Sequence, residues 1–263
     1  MAETESILLE LDGPVATITL NRPQVRNAFN LAMWQALGHT MEDLASRREV
    51  RAIVIKGAGD KAFAAGADVK EFETKRSNVI QAQSYSRVLE AALETVTETP
   101  QPVIAMIRGF CVGGGCELAN ACDIRIAADD ARIGITPAKL GIILGFQEVR
   151  ELVALMGAGK AKELLFTGRL ITAEEALHAG WLNHVVPVNE LESCTREFIE
   201  LFLPNAPLSI QAAKRAINAC LPGPDGHVIG QQIESYVRGF AGSDYQEGVA
   251  SFREKRKPTF TGD

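Results

Sequence analysis

Two uninterrupted apolar runs, Ala52-Ile53-Val54-Ile55 and Val103-Ile104-Ala105-Met106-Ile107, constrain the fold of this chain more than any other feature. A strand with one wet face alternates apolar and polar residues. A strand with no polar position is covered on both faces, which is the habit of parallel sheets flanked by helices. Helical signals separate the runs. Asn30 is placed to cap a helix over Leu31 to Arg47, where Trp34, Leu37, Met41 and Leu44 recur at helical spacing, and a second helix is expected around Ala82 to Glu98. A further helix is expected after Gly113–Gly115, and Asp123 to Ala127 reads as a strand. Ahead of this alternation, Ser6 to Asp12 and Pro14 to Leu20 flank Gly13 as a β-hairpin. The pattern predicts an α/β fold with a mainly parallel sheet.

Beyond about Gly145 the signal becomes helical. Thr172-Ala-Glu-Glu175 fits a capping box with Gly180 as its stop, and only Asn183 to Val188 reads as extended. Helices are expected over Leu191 to Leu203, Ser209 to Cys220 and Ile229 to Phe240, punctuated by Pro204, Pro207 and Pro222-Gly-Pro224. The organisation is therefore an α/β core over residues 1–200 and a helical region over 201–263.

Composition narrows the function classes. With 27 Lys and Arg against 33 Asp and Glu, the formal charge is −6, which argues against a general nucleic-acid binder but leaves room for a local basic pocket for a phosphorylated small molecule. No apolar run approaches the ~20 residues that span a bilayer. The start, Met1-Ala2-Glu3-Thr4-Glu5, is acidic where a secretory signal is basic, so a cytoplasmic protein is expected. Cys111, Cys116 and Cys122 lack C-x-x-C spacing, and His39, His178, His184 and His227 are scattered. No four-ligand set for a metal and no G-x-S-x-G nucleophile turn is present, so no metal is expected.

The chemistry concentrates in two glycine-rich loops. In the first, running from Gly57 to Asp68, Gly57, Gly59 and Ala62 loosely match a dinucleotide G-x-G-x-x-A pattern, but no helix opens at Gly59. Its other readings are a surface loop of small residues, or a place where Ala65-Gly66-Ala67 lets a ligand reach backbone amides. In the second, Val112-Gly113-Gly114-Gly115-Cys116-Glu117-Leu118, a buried strand turns into a helix. The helix start aims free amides at the glycine turn and favours an oxygen acquiring negative charge. Glu117 either faces that small space with its carboxylate or merely complements the helix dipole.

Together the loops resemble the enoyl-CoA hydratase/isomerase (crotonase) family. The resemblance rests on Phe63-Ala-Ala-Gly-Ala-Asp-Val-Lys-Glu71 and on Pro102-Val-Ile-Ala, Gly109, Gly113-Gly-Gly-Cys-Glu117-Leu-Ala and Cys122-Asp123. Asn21-Arg-Pro, Arg26-Asn27-Ala28, Phe166-Thr-Gly168 and Glu254-Lys255-Arg256 extend it over nearly the whole chain. It implies the ClpP/crotonase-like fold, repeated ββα units followed by helices that assemble a trimer or a dimer of trimers. It implies an acyl-CoA substrate, with CoA part of that substrate and no separate cofactor. The thioester oxygen would be held by the backbone amides of Ala67 and Gly114, with Glu117 as the catalytic side chain. Ala65, Gly66, Asp68, Val69, Lys70 and Gly113 would line the CoA side. Arg26, Ala28, Phe252 and Lys255 would contact the rest of the ligand.

One departure stands out. Hydratases of the family place a second glutamate in a Gly-x-Pro-Glu-x-x-Leu-Gly segment. This chain has Gly134-Ile-Thr-Pro137-Ala138-Lys-Leu-Gly141, with Pro137 or Ala138 at that place. Hydration of a 2-enoyl-CoA, or its reverse, is the first expectation. Decarboxylation of a malonyl-type CoA is the alternative, since it needs the oxyanion hole but no base. Thr136-Pro137-Ala138 and Asp244-Tyr-Gln-Glu-Gly248 resemble a methylmalonyl-CoA decarboxylase branch. Enoyl-CoA isomerisation and a non-catalytic CoA- or RNA-binding relative follow.

Overall fold

Strand pairing begins at the hairpin expected around Gly13. In the computed structural model, which describes residues 5–221 and 226–262, β1 (Ile7–Asp12) and β2 (Val15–Leu20) run antiparallel with Ile7 opposite Leu20. Asn30 caps α1 (Leu31–Ser46) through its Oδ1, which accepts from the Met33 amide at 2.9 Å. Three turns of a repeating unit follow. The first is β3 (Ala52–Gly57), β4 (Ala62–Ala64), a short α2 (Phe72–Lys75) and α3 (Val79–Glu98). The second is β5 (Val103–Ile107), β6 (Phe110–Val112) and α4 (Gly114–Ala121). The third is β7 (Ile124–Ala128), β8 (Arg132–Gly134) and α5 (Phe146–Thr167), which is broken at Gly157 with φ +75°.

Each unit sends its first strand to one sheet and its second to another. With β9 (Ile171–Thr172) and β10 (His184–Val186), the large sheet has the order β1-β2-β3-β5-β7-β10, parallel except at β1, and the small one β4-β6-β8-β9. The expected parallel α/β core of ββα repeats is present. The short strands β4, β6, β8 and β9 carry no readable period, being two or three residues long.

The two apolar runs have the two-sided burial that their lack of alternation implied. Ile53, Ile55, Val103, Ala105 and Ile107 join the main core, with Leu37, Met41 and Leu44 of α1 and Leu89, Leu93 and Val96 of α3. Ala52, Val54, Ile104 and Met106 face the other way, against Leu191 and Ile199 of α7 (Leu191–Phe202). Each large side chain so buried contributes roughly 1.5–3 kcal/mol. Between β9 and α7, the capping box at Thr172 and Glu175 opens the short α6 (Ala173–His178) as expected.

α7 thus belongs to the α/β body, and the helices beyond it return to that body. On α8 (Pro207–Cys220), Lys214 donates to Asp123 Oδ2 at 2.8 Å and to the Gln101 carbonyl at 3.1 Å. From α9 (Gly226–Ala241) and α10 (Ser243–Glu254), Phe240, Tyr245 and Val249 pack on Phe72 and Ala82. Buried Arg125 ties the end of α4 in place, donating to the carbonyls of Trp181 at 2.6 Å, Cys122 at 2.7 Å and Ala119 at 3.2 Å. Among the described residues no helix is long and apolar enough to cross a membrane.

Candidate active site

The two glycine-rich loops meet. A Cβ added to Gly113 (φ +52°) would lie 3.5 Å from the Gly66 Cα, and one added to Gly115 would overlap the Ala64 carbonyl oxygen. Glycine is required at Gly115 by this approach of helix α4 to strand β4. The first loop is held by Phe29, which donates to the Gly66 carbonyl at 2.8 Å and accepts from the Asp68 amide at 2.7 Å. This parallel bridge spends the groups on either side of Ala67 and leaves the Ala67 N–H outside the ladder. Gly114 is the first residue of α4, so its N–H lacks an intrahelical acceptor. Two amides without ladder or helix partners therefore sit on the abutting loops.

Both loops line a cavity of about 190 Å³. Of the residues singled out in the sequence, the cavity collects Ala65, Gly66, Ala67, Val69, Gly113, Gly114, Glu117 and Phe252. Arg26, Ala28, Asp68, Lys70 and Lys255 lie outside its lining. Asp68 forms an ion pair with Arg22 at 2.8 Å and accepts from the Lys70 amide at 3.2 Å. Ala28 is buried, and its carbonyl accepts from the Arg22 guanidinium at 2.5 Å. Arg26 stands over the Phe110 ring in a separate surface depression with Lys61 and Arg132. Lys70 and Lys255 are exposed, the latter ending α10 with φ +54°.

Glu117 is buried in the first turn of α4, every residue of which is buried. Loss of water pushes its carboxyl up to about 7, against the opposing field of Arg76. Pro137 does line the cavity and brings no titratable group. A second carboxyl nevertheless arrives from elsewhere, which the sequence comparison with the Gly-x-Pro-Glu segment missed. Glu148, in the first turn of α5, lines the same cavity, 6% exposed, and among the described residues its Oε2 has no hydrogen-bond partner. Burial and then the charge of Glu117 push it up to about 8. The sequence signal available was its place three residues after Gly145, which marks a helix start but not the direction of the side chain.

Further wall that the sequence did not assign to the site comes from Trp34 of α1, Arg76, Ser86 and Leu89 near and on α3, Tyr236 of α9 and the segment Ile142 to Leu144 ahead of α5. Trp34 stacks on Phe29 with centroids 3.9 Å apart, which fixes the ring against the Ala67 loop. Chemically, the site offers two donors for a developing oxyanion and two proton-carrying groups in a water-poor space.

Comparison with known proteins agrees with this geometry. The enoyl-CoA hydratase/isomerase family profile matches residues 10–263. A short-chain-enoyl-CoA hydratase from Clostridium acetobutylicum is 36% identical over 255 residues, covering 97% of each chain. A methylmalonyl-CoA decarboxylase structure, solved with 2-nitronate-propionyl-CoA, superposes with a TM-score of 0.91 at 31% identity, covering 98% of this chain and 99% of that one. An enoyl-CoA hydratase structure from Bacillus anthracis superposes at 0.79 with 37% identity, covering 98% of this chain and 100% of that one. With the ββα repeats, the abutting loops and the buried Glu117 in place, this chain belongs to the enoyl-CoA hydratase/isomerase family.

Proposed function

We propose that this enzyme adds water across the double bond of a short-chain 2-enoyl-CoA, giving the 3-hydroxyacyl-CoA, and catalyses the reverse. The observation that carries this reading is the presence of two buried carboxyls, Glu117 and Glu148, in the cavity bordered by the amides of Ala67 and Gly114. Ionised Glu117 takes a proton from water as its oxygen bonds to the β-carbon. The double-bond electrons move through the α-carbon onto the thioester oxygen, and the Ala67 and Gly114 amides hold that charge; one such donor is worth about 3–4 kcal/mol. Protonated Glu148 then delivers a proton to the α-carbon as the carbonyl re-forms. Transfer of the proton from Glu117 to Glu148 restores both groups. The departure at Pro137 is met by this displaced second carboxyl.

A second reading, decarboxylation of a malonyl-type CoA, is favoured by the higher superposition on the decarboxylase, 0.91 against 0.79 for the hydratase. One assay separates them. Crotonyl-CoA should lose its enoyl absorbance in the presence of the enzyme, while malonyl- and methylmalonyl-CoA should release no carbon dioxide. Carbon dioxide release without hydration would replace the first reading by the second.

We further propose that the enzyme is cytoplasmic and assembles as a trimer or a dimer of trimers. Leu201, Leu208 and Ile217 on α7 and α8 are 74%, 75% and 64% exposed, apolar surface that self-association would cover. Sedimentation should give three or six times the chain mass; monomer alone at micromolar concentration would overturn the assembly.

A further inference from the structure

Arg76 has an unusual place for a guanidinium. It is 7% exposed, lies over the rings of Phe72, Tyr85 and Phe240 at 5.1, 4.4 and 5.6 Å, and lines the cavity that holds Glu117 and Glu148. Among the described residues the Tyr236 hydroxyl is a hydrogen-bonding neighbour of the guanidinium, but its Nε has no partner and no carboxylate stands within 4.0 Å of it. The aromatic faces position the cation and stabilise it in part, but they do not replace a hydrogen-bonded anion. Glu117 feels its field without forming an ion pair with it. Leu89, Ile142, Ile143 and Leu144 supply apolar lining to the same cavity. A plain alkyl tail placed there would leave the guanidinium buried and still incompletely bonded.

We infer that Arg76 is a specificity residue for the acyl tail, and that the preferred 2-enoyl-CoA substrate carries a carboxylate at the end of a short chain. This deepens the hydratase reading and rests on it. The planar guanidinium presents paired donors that match a carboxylate, a geometry that an ammonium does not reproduce. The rings of Phe72, Tyr85 and Phe240 hold it ready, so little ordering remains when the tail arrives.

Saturated thioesters test this without any reaction. Calorimetric titration of the full-length enzyme should show succinyl-, glutaryl- or adipyl-CoA binding at least about tenfold tighter than butyryl- or hexanoyl-CoA, the size of a charge-assisted hydrogen bond. In Arg76→Met the ratio of affinities should collapse towards one, and in Arg76→Lys it should recover only partly. If none of the diacid thioesters outbinds its monoacid counterpart of like length, the inference fails, whatever the variants do. If Arg76→Met weakens both classes equally, Arg76 acts only on the shape or charge of the site and the inference also fails. Failure of the hydratase reading looks different: the affinity ratio persists, but neither crotonyl-CoA nor its carboxylated five-carbon analogue, glutaconyl-CoA, is hydrated.

Discussion

Glu117 and Glu148 enter one buried cavity from the first turns of two different helices, and the charge of the first raises the proton affinity of the second. In the proposed hydration Glu117 must be ionised to accept a proton from water, and Glu148 must be protonated to deliver one. With the two carboxyls pushed to about 7 and about 8, kcat/KM should rise as pH climbs through 7 and fall above 8. The two apparent values belong to the pair and not to either residue alone. The measurement is the pH profile of crotonyl-CoA hydration; a flat profile from acid to alkali contradicts the assignment.

Glu117→Gln keeps the shape of the side chain and removes the base. Hydration should fall by about 10²–10⁴-fold, and Glu148→Gln should cost a comparable factor. Because the two act in one proton circuit, the double variant should lose little more than either single one. Steady-state rates of the three variants on crotonyl-CoA decide this, and full additivity would show that the groups work independently.

The proposed oxyanion donor at Gly114 is a backbone amide and can be removed by changing the backbone N–H alone. Position one of a helix tolerates proline, which has no N–H. Gly114→Pro should therefore lower kcat by about 10²–10³-fold. Gly114→Ala is the control, because it adds the Cβ that meets Trp34 Cζ2 at 3.2 Å but keeps the amide. Equal losses in the two variants would assign the effect to crowding and not to the donor.

Glu148 should cost stability in exchange for its chemistry. Its carboxyl is raised from 4.5 in the unfolded chain to about 8 in the fold. Below 4.5 both states hold the proton and there is no penalty. As pH rises towards 8, the unfolded chain releases it while the folded one keeps it, so stability declines across that window. Glu148→Gln should then raise Tm at pH 8, at about 2–4 °C per kcal/mol relieved, and change it little at pH 4. Scanning calorimetry at the two pH values checks the sign.

Lys214 and Asp123 hold α8 to the N-terminal ends of β5 and β7, with the Lys214 side chain 8% and the Asp123 side chain 25% exposed. Breaking a fully enclosed pair costs about 3–5 kcal/mol, and partial exposure of Asp123 sets the expectation for Lys214→Met at about 2–3 kcal/mol. Urea unfolding monitored by circular dichroism measures it, and Asp123→Asn in the same chain should recover part of the loss.

The large sheet was legible because Ala52–Ile55 and Val103–Ile107 lack any polar position, and two-sided burial is the only arrangement that satisfies them. The loops were legible because glycine runs between a strand and a helix carry a physical meaning of their own. Ala67, Gly114 and Glu117 are indeed together. Glu148 was not found because its nearest sequence cue, a helix start after Gly145, is indifferent to which wall the side chain joins. Arg76 escaped for a related reason: in sequence it is one cation in Thr74-Lys75-Arg76-Ser77, and only the return of α9 places Phe240 over it. Asp68 shows the opposite case, a residue next to the donor loop whose carboxylate is taken up by Arg22 and the Lys70 amide.

The complete burial of α4, pinned at its far end by Arg125, divides the labour of the active site. The amide of Gly114 and the carboxylate of Glu117 ride on a helix with no surface of its own, so the groups proposed to activate the thioester stand on a fully enclosed element. The facing wall comes from α3 and α9, which pack through a small separate cluster around Phe72 and Phe240. Substitutions there should reshape the proposed acyl pocket without disturbing the Gly114 amide. A lineage built on this scaffold can change its diet while keeping its chemistry.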